Sequence, residues 1–182
     1  MYFDDLLYHV YNRGAHKLPI FFSPENYLFC LHLLSKYKTK YNVLILAYCL
    51  MPNHYHLMLR QCLGGSITRF IQTTFNAYVQ STNVEQRHSG TLFEAKAKNK
   101  IIGEPAVIAR YIHLNPVQAG LVVRPEHWQF SDYSEWAGLR LPTITNLELR
   151  NELFDSGEDY RSFVQEVAIS PSEGLRPSEG LW

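Results

Sequence analysis

The sequence predicts an α+β fold of the ferredoxin-like class: a split βαβ unit whose four-stranded antiparallel sheet carries helices on one face, followed by a C-terminal extension. Stretches with the two-residue alternation of strands and stretches with helical periodicity follow one another in the order β-α-β-β-α-β-α. The chain has 182 residues, of which 46% are apolar. It is therefore long enough for one buried core and too short for two ordinary domains.

Turn and capping residues mark the end of the first strand and the start of the first helix. Residues 6–12 alternate and are rich in Tyr and Val until Arg13-Gly14 breaks the pattern, which predicts a strand and then a turn. Residues 23–25, Ser-Pro-Glu, supply an N-cap, a proline at the first helical position and an acidic first turn. The helix that they open has an apolar face of Tyr27, Cys30, Leu31 and Leu34.

A β-hairpin follows this helix. Residues 43–51 form a continuous apolar run, which suits a strand covered on both faces. Pro52-Asn53 is typical of a turn, and residues 54–60 alternate again.

The second half of the unit contains another helix, a fourth strand and a last helix. Ser66 can cap a helix whose apolar residues from Ile67 to Val79 recur every three to four positions. Residues 93–102 predict the fourth strand, with Lys96, Lys98 and Lys100 on one face. The last helix runs from residues 103–105 to Asn115, and Pro116 is expected to end it.

The C-terminal part is expected to add little to the sheet. Residues 1–140 form the predicted domain, and 141–182 an acidic extension with one or two short helices and a flexible tail, in which PSEGL occurs twice. The aromatic residues after 127 predict a strap over the core, although they could instead stack on unpaired bases. They are Trp128, Phe130, Tyr133 and Trp136.

The charge is divided unevenly along the chain. Residues 1–140 carry 14 Lys and Arg against 9 Asp and Glu, whereas 141–182 carry 3 against 8. A basic body permits a polyanionic partner such as nucleic acid without requiring one. Three cysteines in apolar surroundings and no apolar run longer than nine residues predict a cytoplasmic protein with reduced thiols and no membrane partner.

Two histidines could hold a metal ion. His54 and His56 are two positions apart in a predicted strand, so both imidazoles lie on one side of the sheet and can converge on a divalent cation. A His-x-His pair alone is a weak signal, because half-buried strand histidines are common.

The last helix supplies candidates to complete such a site. Tyr111 and Asn115 are four positions apart and share a helical face. Beside the histidines, Asn115 would be a third ligand and Tyr111 a nucleophile, whereas elsewhere Tyr111 would be a packing residue. His113 falls on another face, where a core or surface position is expected. Tyr78 is the competing nucleophile, weakened because Thr82 stands where a metal ligand is needed.

Several polar residues could contact DNA. The lysines at 96, 98 and 100 would suit a row of phosphates, but lysines also protect edge strands from unwanted pairing. Asn12, Arg13 and Arg110 are further candidates for phosphate or base contacts.

Taken together, five strings resemble one family. They are YHVYNRG, AYCLMPNHYHLML, GTLFEAKAK, RYIHLNPVQAGLV and W-x-F-S-D-Y. In this order, over residues 6–137, they resemble the REP-associated tyrosine transposases, a branch of the single-tyrosine HUH transposases (IS200-like). The resemblance implies a ferredoxin-like fold and a bacterial, nucleoid-associated enzyme of transposition. The expected substrate is single-stranded DNA near hairpins. The protein is expected to be a monomer or a dimer.

The same resemblance implies roles for individual residues. The histidines of the HUH motif fall on His54 and His56, the tyrosine nucleophile on Tyr111 and the third ligand on Asn115. Mg²⁺ or Mn²⁺ is the implied cofactor, and a 5′-phosphotyrosine the implied intermediate. Tyr55 replaces the usual aliphatic residue between the histidines.

Three other functions remain open from the sequence. The same sheet could bind RNA or DNA without any chemistry. The chain could be a catalytically silent relative that retains hairpin binding. It could also be a metal-dependent phosphoesterase that activates water, in which case no covalent adduct would form.

Overall fold

The computed structural model describes residues 2–87 and 89–169, with side chains described up to residue 166. Its centre is one four-stranded sheet in the order β2-β3-β1-β4, and all neighbouring strands are antiparallel. The strands are β1 (Leu7–Arg13), β2 (Val43–Met51), β3 (His54–Gln61) and β4 (Lys98–Ile101). This is the strand order of a split βαβ sheet, as the sequence predicted.

Three long helices cover the two faces of the sheet. They are α1 (Pro24–Lys40), α2 (Ile67–Glu85) and α3 (Pro105–Gln118). Helices α1 and α2 share one face, where Tyr8, Tyr55 and Leu57 contribute to their core. Helix α3 packs on the other face against Met58 and Cys49. The prediction of helices on one face thus holds for the two helices of the βαββαβ unit, whereas α3 closes the opposite side.

The aromatic segment after residue 127 binds the outer edge of β2, as a strap over the core. The backbone N–H of Leu50 donates to Phe130, and that of Asp132 donates to Tyr48. Trp136 is fully buried, and its indole N–H donates to the carbonyl of Leu46 at 2.9 Å. Because these hydrogen bonds cover a free strand edge, the segment is structural, and Trp136 is not accessible for stacking on a base.

The C-terminal helices belong to the same folded body. They are α4 (Tyr133–Trp136), α5 (Glu148–Leu153) and α6 (Gly157–Ile169). Tyr160 and Val164 of α6 lie in the same buried cluster as Ile112 of α3. Residue 140 is therefore not the end of a separate folding unit, because part of the acidic extension completes the core around α3. The repeated PSEGL strings lie outside the described residues.

Two predicted boundaries are wrong. Strand β4 starts at Lys98 rather than near residue 93, because residues 94–97 do not join the ladder with β1. Helix α3 continues through Pro116 to Gln118. A proline this close to a helix end removes a single hydrogen bond, which the remaining turn tolerates. Within residues 2–87 and 89–169, no helix is both long and apolar enough to cross a membrane.

Candidate active site

The two histidines of β3 point toward α3. Tyr55 between them points to the opposite face, where its ring stacks on Phe75 with centroids 4.1 Å apart. His54 and His56 therefore lie on the α3 side, with ring centroids 5.0 Å apart. The pairing of β1 with β3 sets Arg13 opposite His54 and Tyr11 opposite His56.

Helix α3 brings Tyr111 and Asn115 to these histidines. The Tyr111 ring meets the His56 ring edge to face, with centroids 5.4 Å apart. The Tyr111 side chain is buried, and its hydroxyl has no hydrogen-bond partner of ordinary geometry within the described part of the chain. Burial raises the pKa of Tyr111, and the nearby Asn115 amide opposes this rise in part. A buried phenol with an unused hydroxyl is therefore adjacent to the imidazole pair.

The side-chain amides of Asn53 and Asn115 flank the His54 ring. Each amide donates its NH₂ to a backbone carbonyl, so its oxygen faces His54. The Asn53 NH₂ donates to the Lys17 carbonyl at 3.0 Å, so its Oδ1 accepts from His54 Nδ1 at 2.7 Å. The Asn115 NH₂ donates to the Tyr111 carbonyl at 2.9 Å, so Asn115 Oδ1 faces His54 Nε2 at 3.4 Å. In the neutral ring with its proton on Nδ1, two electron-pair donors thus face each other.

His56 presents a similar nitrogen to the site. Its Nδ1 lies 2.9 Å from Nε2 of His9 on β1, whereas its Nε2 is buried with no hydrogen-bond partner among the described residues. Burial lowers the pKa of His54, and burial together with the neighbouring His9 and His54 lowers that of His56 well below its usual range. Both rings are therefore neutral near pH 7, which is the form that binds metals.

This donor set fits a divalent cation. Adjacent ligands of an octahedral Mg²⁺ lie about 3 Å apart, given metal–oxygen distances of about 2.0–2.1 Å. The 3.4 Å between His54 Nε2 and Asn115 Oδ1 is close to that separation. Among the described residues no three His, Cys, Asp or Glu side chains form a metal site, so the candidate set is two imidazoles and one amide oxygen.

A pocket of about 160 Å³ opens beside the histidines. Its lining includes Arg13, His54, His56, Glu94 and Lys98. The sheet register sets Lys98 opposite Tyr11 and Lys100 opposite His9, so both lysines lie on the α3 face. The pocket therefore combines the candidate metal ligands with Lys98, a cation that an anionic substrate could contact, whereas Arg13 is ion-paired with Glu94.

The other predicted DNA contacts have different surroundings. Lys96 precedes β4 and lines a separate groove along α2, so the predicted row of three lysines on one face is wrong. Asn12 donates to the Ala95 carbonyl, and Arg13 forms an ion pair with Glu94 at 2.8 Å. Both hold the segment before β4 against the end of β1. A DNA contact by any of these residues stays a prediction: Asn12, Arg13, Lys96, Lys98 and Lys100.

Arg110 is a packing residue rather than a DNA contact. Its guanidinium lies over the Phe163 ring, 4.1 Å from the centroid, and donates to the Phe163 carbonyl at 3.2 Å. Only 9% of its surface is exposed. The prediction that Arg110 binds DNA is therefore wrong, because α6 covers it.

The competing candidates lie elsewhere. Tyr78 is fully buried on the α1/α2 side of the sheet, and its hydroxyl donates to the Ile20 carbonyl. His113 lies in the core, where it contacts Asp132 and Tyr160. Sequence reasoning missed His9 and Asn53 at the site. The available signal for His9 was its place in a strand expected to pair beside the His-x-His strand.

A comparison with known protein families identifies the family of this chain. The model of the family "Transposase IS200 like" matches residues 2–115, more than half of the chain. The chain belongs to the IS200-like transposase family. The resemblance noted in the sequence is confirmed at this level, and the transposase domain includes both histidines, Tyr111 and Asn115. Transposases are enzymes that act on DNA.

Two solved structures are similar to this IS200-like transposase, and the first of them shares its fold. One is a REP-associated tyrosine transposase bound to a REP hairpin, with a TM-score of 0.66 and 16% identity, covering 81% of this chain and 92% of that one. Another, provisionally assigned as a transposase, comes from Deinococcus radiodurans R1, with a TM-score of 0.46 and 19% identity, covering 61% and 91%. None of the curated proteins matches the chain. At 16% identity, the first likeness concerns the fold.

Proposed function

We propose that this IS200-like transposase is a metal-dependent endonuclease and strand transferase for single-stranded DNA, with Tyr111 as nucleophile. The observation that carries the proposal is the meeting of Tyr111 with His54, His56 and Asn115, which are contributed by two elements of one chain. His54, His56 and Asn115 would hold Mg²⁺ or Mn²⁺. Such a cation supplies charge stabilisation to a phosphate oxygen when it is bound.

The residues themselves account for the covalent step. The Tyr111 oxygen attacks the scissile phosphorus, the bond from phosphorus to the 3′ oxygen breaks, and the released 3′ oxygen takes up a proton while the phenol loses one. The products are a 5′-phosphotyrosine and a free 3′-hydroxyl. Attack by another 3′-hydroxyl reverses the step and joins strands. Burial keeps Tyr111 protonated at rest, so its proton must leave as the bond to phosphorus forms.

A hairpin with a single-stranded flank is the proposed substrate. Support comes from the REP hairpin bound to the structurally similar REP-associated transposase. Lys98 and Lys100 would contact the phosphates of a flanking strand; in support, both project on the α3 face of an exposed edge strand. An unpaired flank reaches a pocket of this size without the cost of opening a duplex.

A denaturing gel tests the proposal. The protein is incubated with 3′-labelled hairpin DNA and Mn²⁺, and the DNA-linked protein band is quantified, because a 5′-phosphotyrosine retains the fragment that carries the 3′ label. We expect a band with the wild type, and none with Tyr111→Phe, which removes only the hydroxyl. Tyr37→Phe is the matched control, because Tyr37 lies on α1, on the other face of the sheet, and should retain the band.

Three outcomes would contradict the proposal. A band that persists in Tyr111→Phe would assign the nucleophile to another residue. Cleavage without any covalent band, unaffected by Tyr111→Phe, would support a phosphoesterase that activates water. Binding of the hairpin without cleavage in the presence of Mn²⁺ or Mg²⁺ would identify the protein as a binding module.

A further inference from the structure

We propose that His9 is a positioning residue: it accepts a hydrogen bond from His56 Nδ1 and thereby holds His56 in the tautomer whose Nε2 can bind a metal ion. The inference rests on the proposed function, because it concerns the same candidate metal site. It adds a residue from β1, outside the His-x-His pair and the nucleophile helix.

The proton positions follow from the contacts together with the metal-binding role proposed for His56. A neutral imidazole has one N–H and one nitrogen that accepts. His56 Nε2 is buried and unpaired among the described residues, and a nitrogen that binds a cation there carries no proton. The proton of His56 is then on Nδ1, which lies 2.9 Å from His9 Nε2 and donates to it. His9 in turn carries its own proton on Nδ1.

The surroundings of His9 fix its ring in the accepting position. Its ring stacks on Tyr11 with centroids 4.9 Å apart and lies edge to face with Tyr111 at 6.0 Å. Only 1% of its surface is exposed. His9 therefore contacts both the candidate ligand His56 and the candidate nucleophile Tyr111, and little space is available for another rotamer.

Stability alone does not account for a histidine at this position. His9 Nδ1 is buried and has no hydrogen-bond partner among the described residues. An unpaired buried donor destabilises the fold, so His9 satisfies His56 Nδ1 only by leaving its own Nδ1 unpaired. We infer that a histidine is present at position 9 because it provides a nitrogen acceptor for His56, and not because it packs best there.

The other histidine of the pair has an equivalent partner. His54 Nδ1 donates to Asn53 Oδ1 at 2.7 Å, which leaves Nε2 directed at Asn115. Each histidine of the candidate metal site therefore has a separate acceptor at Nδ1, a carboxamide for His54 and an imidazole for His56. Such partners of metal-bound histidines typically change metal affinity by about 10–100-fold when they are removed.

Metal binding and NMR test the role of His9 without DNA. Mn²⁺ binding is measured by the loss of the free-ion EPR signal in the full chain and in three variants. His9→Phe should bind Mn²⁺ about 10–100-fold more weakly than the wild type. His9→Gln should recover part of this loss, because its amide oxygen can accept from His56. His32→Gln is the matched control, an exposed histidine on α1 that should leave Mn²⁺ affinity unchanged.

The tautomer is measured directly in the metal-free wild type by long-range ¹⁵N–¹H correlation, with His56 expected as the Nδ1–H form. Thermal unfolding confirms that each variant is folded. His56 protonated on Nε2 instead, or a folded His9→Phe with wild-type Mn²⁺ affinity, would overturn the inference. Equal weakening by His9→Gln and His9→Phe would also overturn it, since the loss would then reflect packing. Failure of the proposed function would look different: Mn²⁺ binds and His56 has the expected tautomer, but no Tyr111–DNA adduct forms.

Discussion

His113 Nε2 lies 2.8 Å from Asp132 Oδ1, and both side chains are fully buried. His113 is on α3 two positions after Tyr111, whereas Asp132 belongs to the strap along β2. The hydroxyl of Tyr160, from α6, contacts the other ring nitrogen of His113 at 2.6 Å. Helix α3, which carries the candidate nucleophile, is thus held through His113 by two other segments of the chain, the strap and α6.

Asp132→Ala should destabilise the protein strongly. The carboxylate accepts from His113, from the backbone N–H of Tyr48 at 2.7 Å and from the hydroxyl of Thr145 at 2.7 Å. Removing it leaves these buried donors unpaired, and we expect a loss of about 3–5 kcal/mol in the free energy of unfolding, measured in urea. Glu158→Ala is the matched control, because it breaks only an exposed ion pair with Arg161. A change above about 1 kcal/mol in that control would contradict the reasoning.

The stability of the metal-free protein should fall between pH 7 and pH 5. Burial, with a smaller contribution from Lys100, lowers the pKa of His9 to about 4. In the unfolded chain a histidine titrates near 6.5. Between these values the unfolded state binds a proton that the folded state does not, so acid favours unfolding, and above about pH 6.5 this effect is absent.

The size of this effect can be isolated with His9→Phe. From pH 7 to pH 5, His9 should account for about 2 kcal/mol of lost stability, and His56 acts in the same direction. Urea unfolding at both pH values should show a smaller loss in His9→Phe than in the wild type. Equal losses in the two proteins would contradict the assignment.

Replacing Lys98 and Lys100 together with alanine should weaken DNA binding and reduce its salt dependence. Two lost phosphate contacts would lower the slope of log affinity against log salt by about 1.4 for a single strand. Fluorescence anisotropy with a hairpin bearing a single-stranded flank, between 50 and 200 mM salt, measures both quantities. Lys36→Ala with Lys40→Ala removes the same charge from α1, on the other face of the sheet. If this control changes the slope equally, the lysines of β4 have no special role.

Gly14→Ala should destabilise the turn beside His54. A Cβ at Gly14 would overlap the Leu18 carbonyl oxygen and lie 2.9 Å from Ile20 Cγ2. The Gly14 N–H also donates to the Asn53 carbonyl at 2.8 Å, so a displaced turn would disturb the hydrogen bond between Asn53 and His54. We expect a loss of about 1–3 kcal/mol in stability and weaker Mn²⁺ binding. Gly103→Ala, where a Cβ meets nothing within 4 Å, should change neither property.

Much of the fold was predictable because the local pattern of apolar and polar residues reflects which side chains are buried. The continuous apolar run of β2 and the alternation that begins at His54 gave the correct strand positions. The fourth strand was predicted too long, since alternation over residues 93–97 does not reveal whether the backbone finds a partner. Instead Phe93 forms an isolated bridge with Gly14, and the ladder with β1 resumes only at Lys98.

The site was predictable only in part, for a related reason. His54, His56, Tyr111 and Asn115 each sit in a pattern that fixes the face of a strand or helix. The role of His9 depends on β1 lying beside β3, which no local pattern records. Arg110 is buried by Phe163, 53 positions later in the chain, so its accessibility depends on a distant segment.

The hydrogen bonds between the strap and β2 also determine how short a fragment of this protein can be. The match to the family model ends at residue 115, yet a product truncated there would lose the end of α3, its covering residues and the partner of the β2 edge. Exposed strand edges recruit other chains, so such a fragment should aggregate. Expression of the transposase domain should therefore extend at least through Val164, which among the residues with described side chains is the last of the buried cluster around α3.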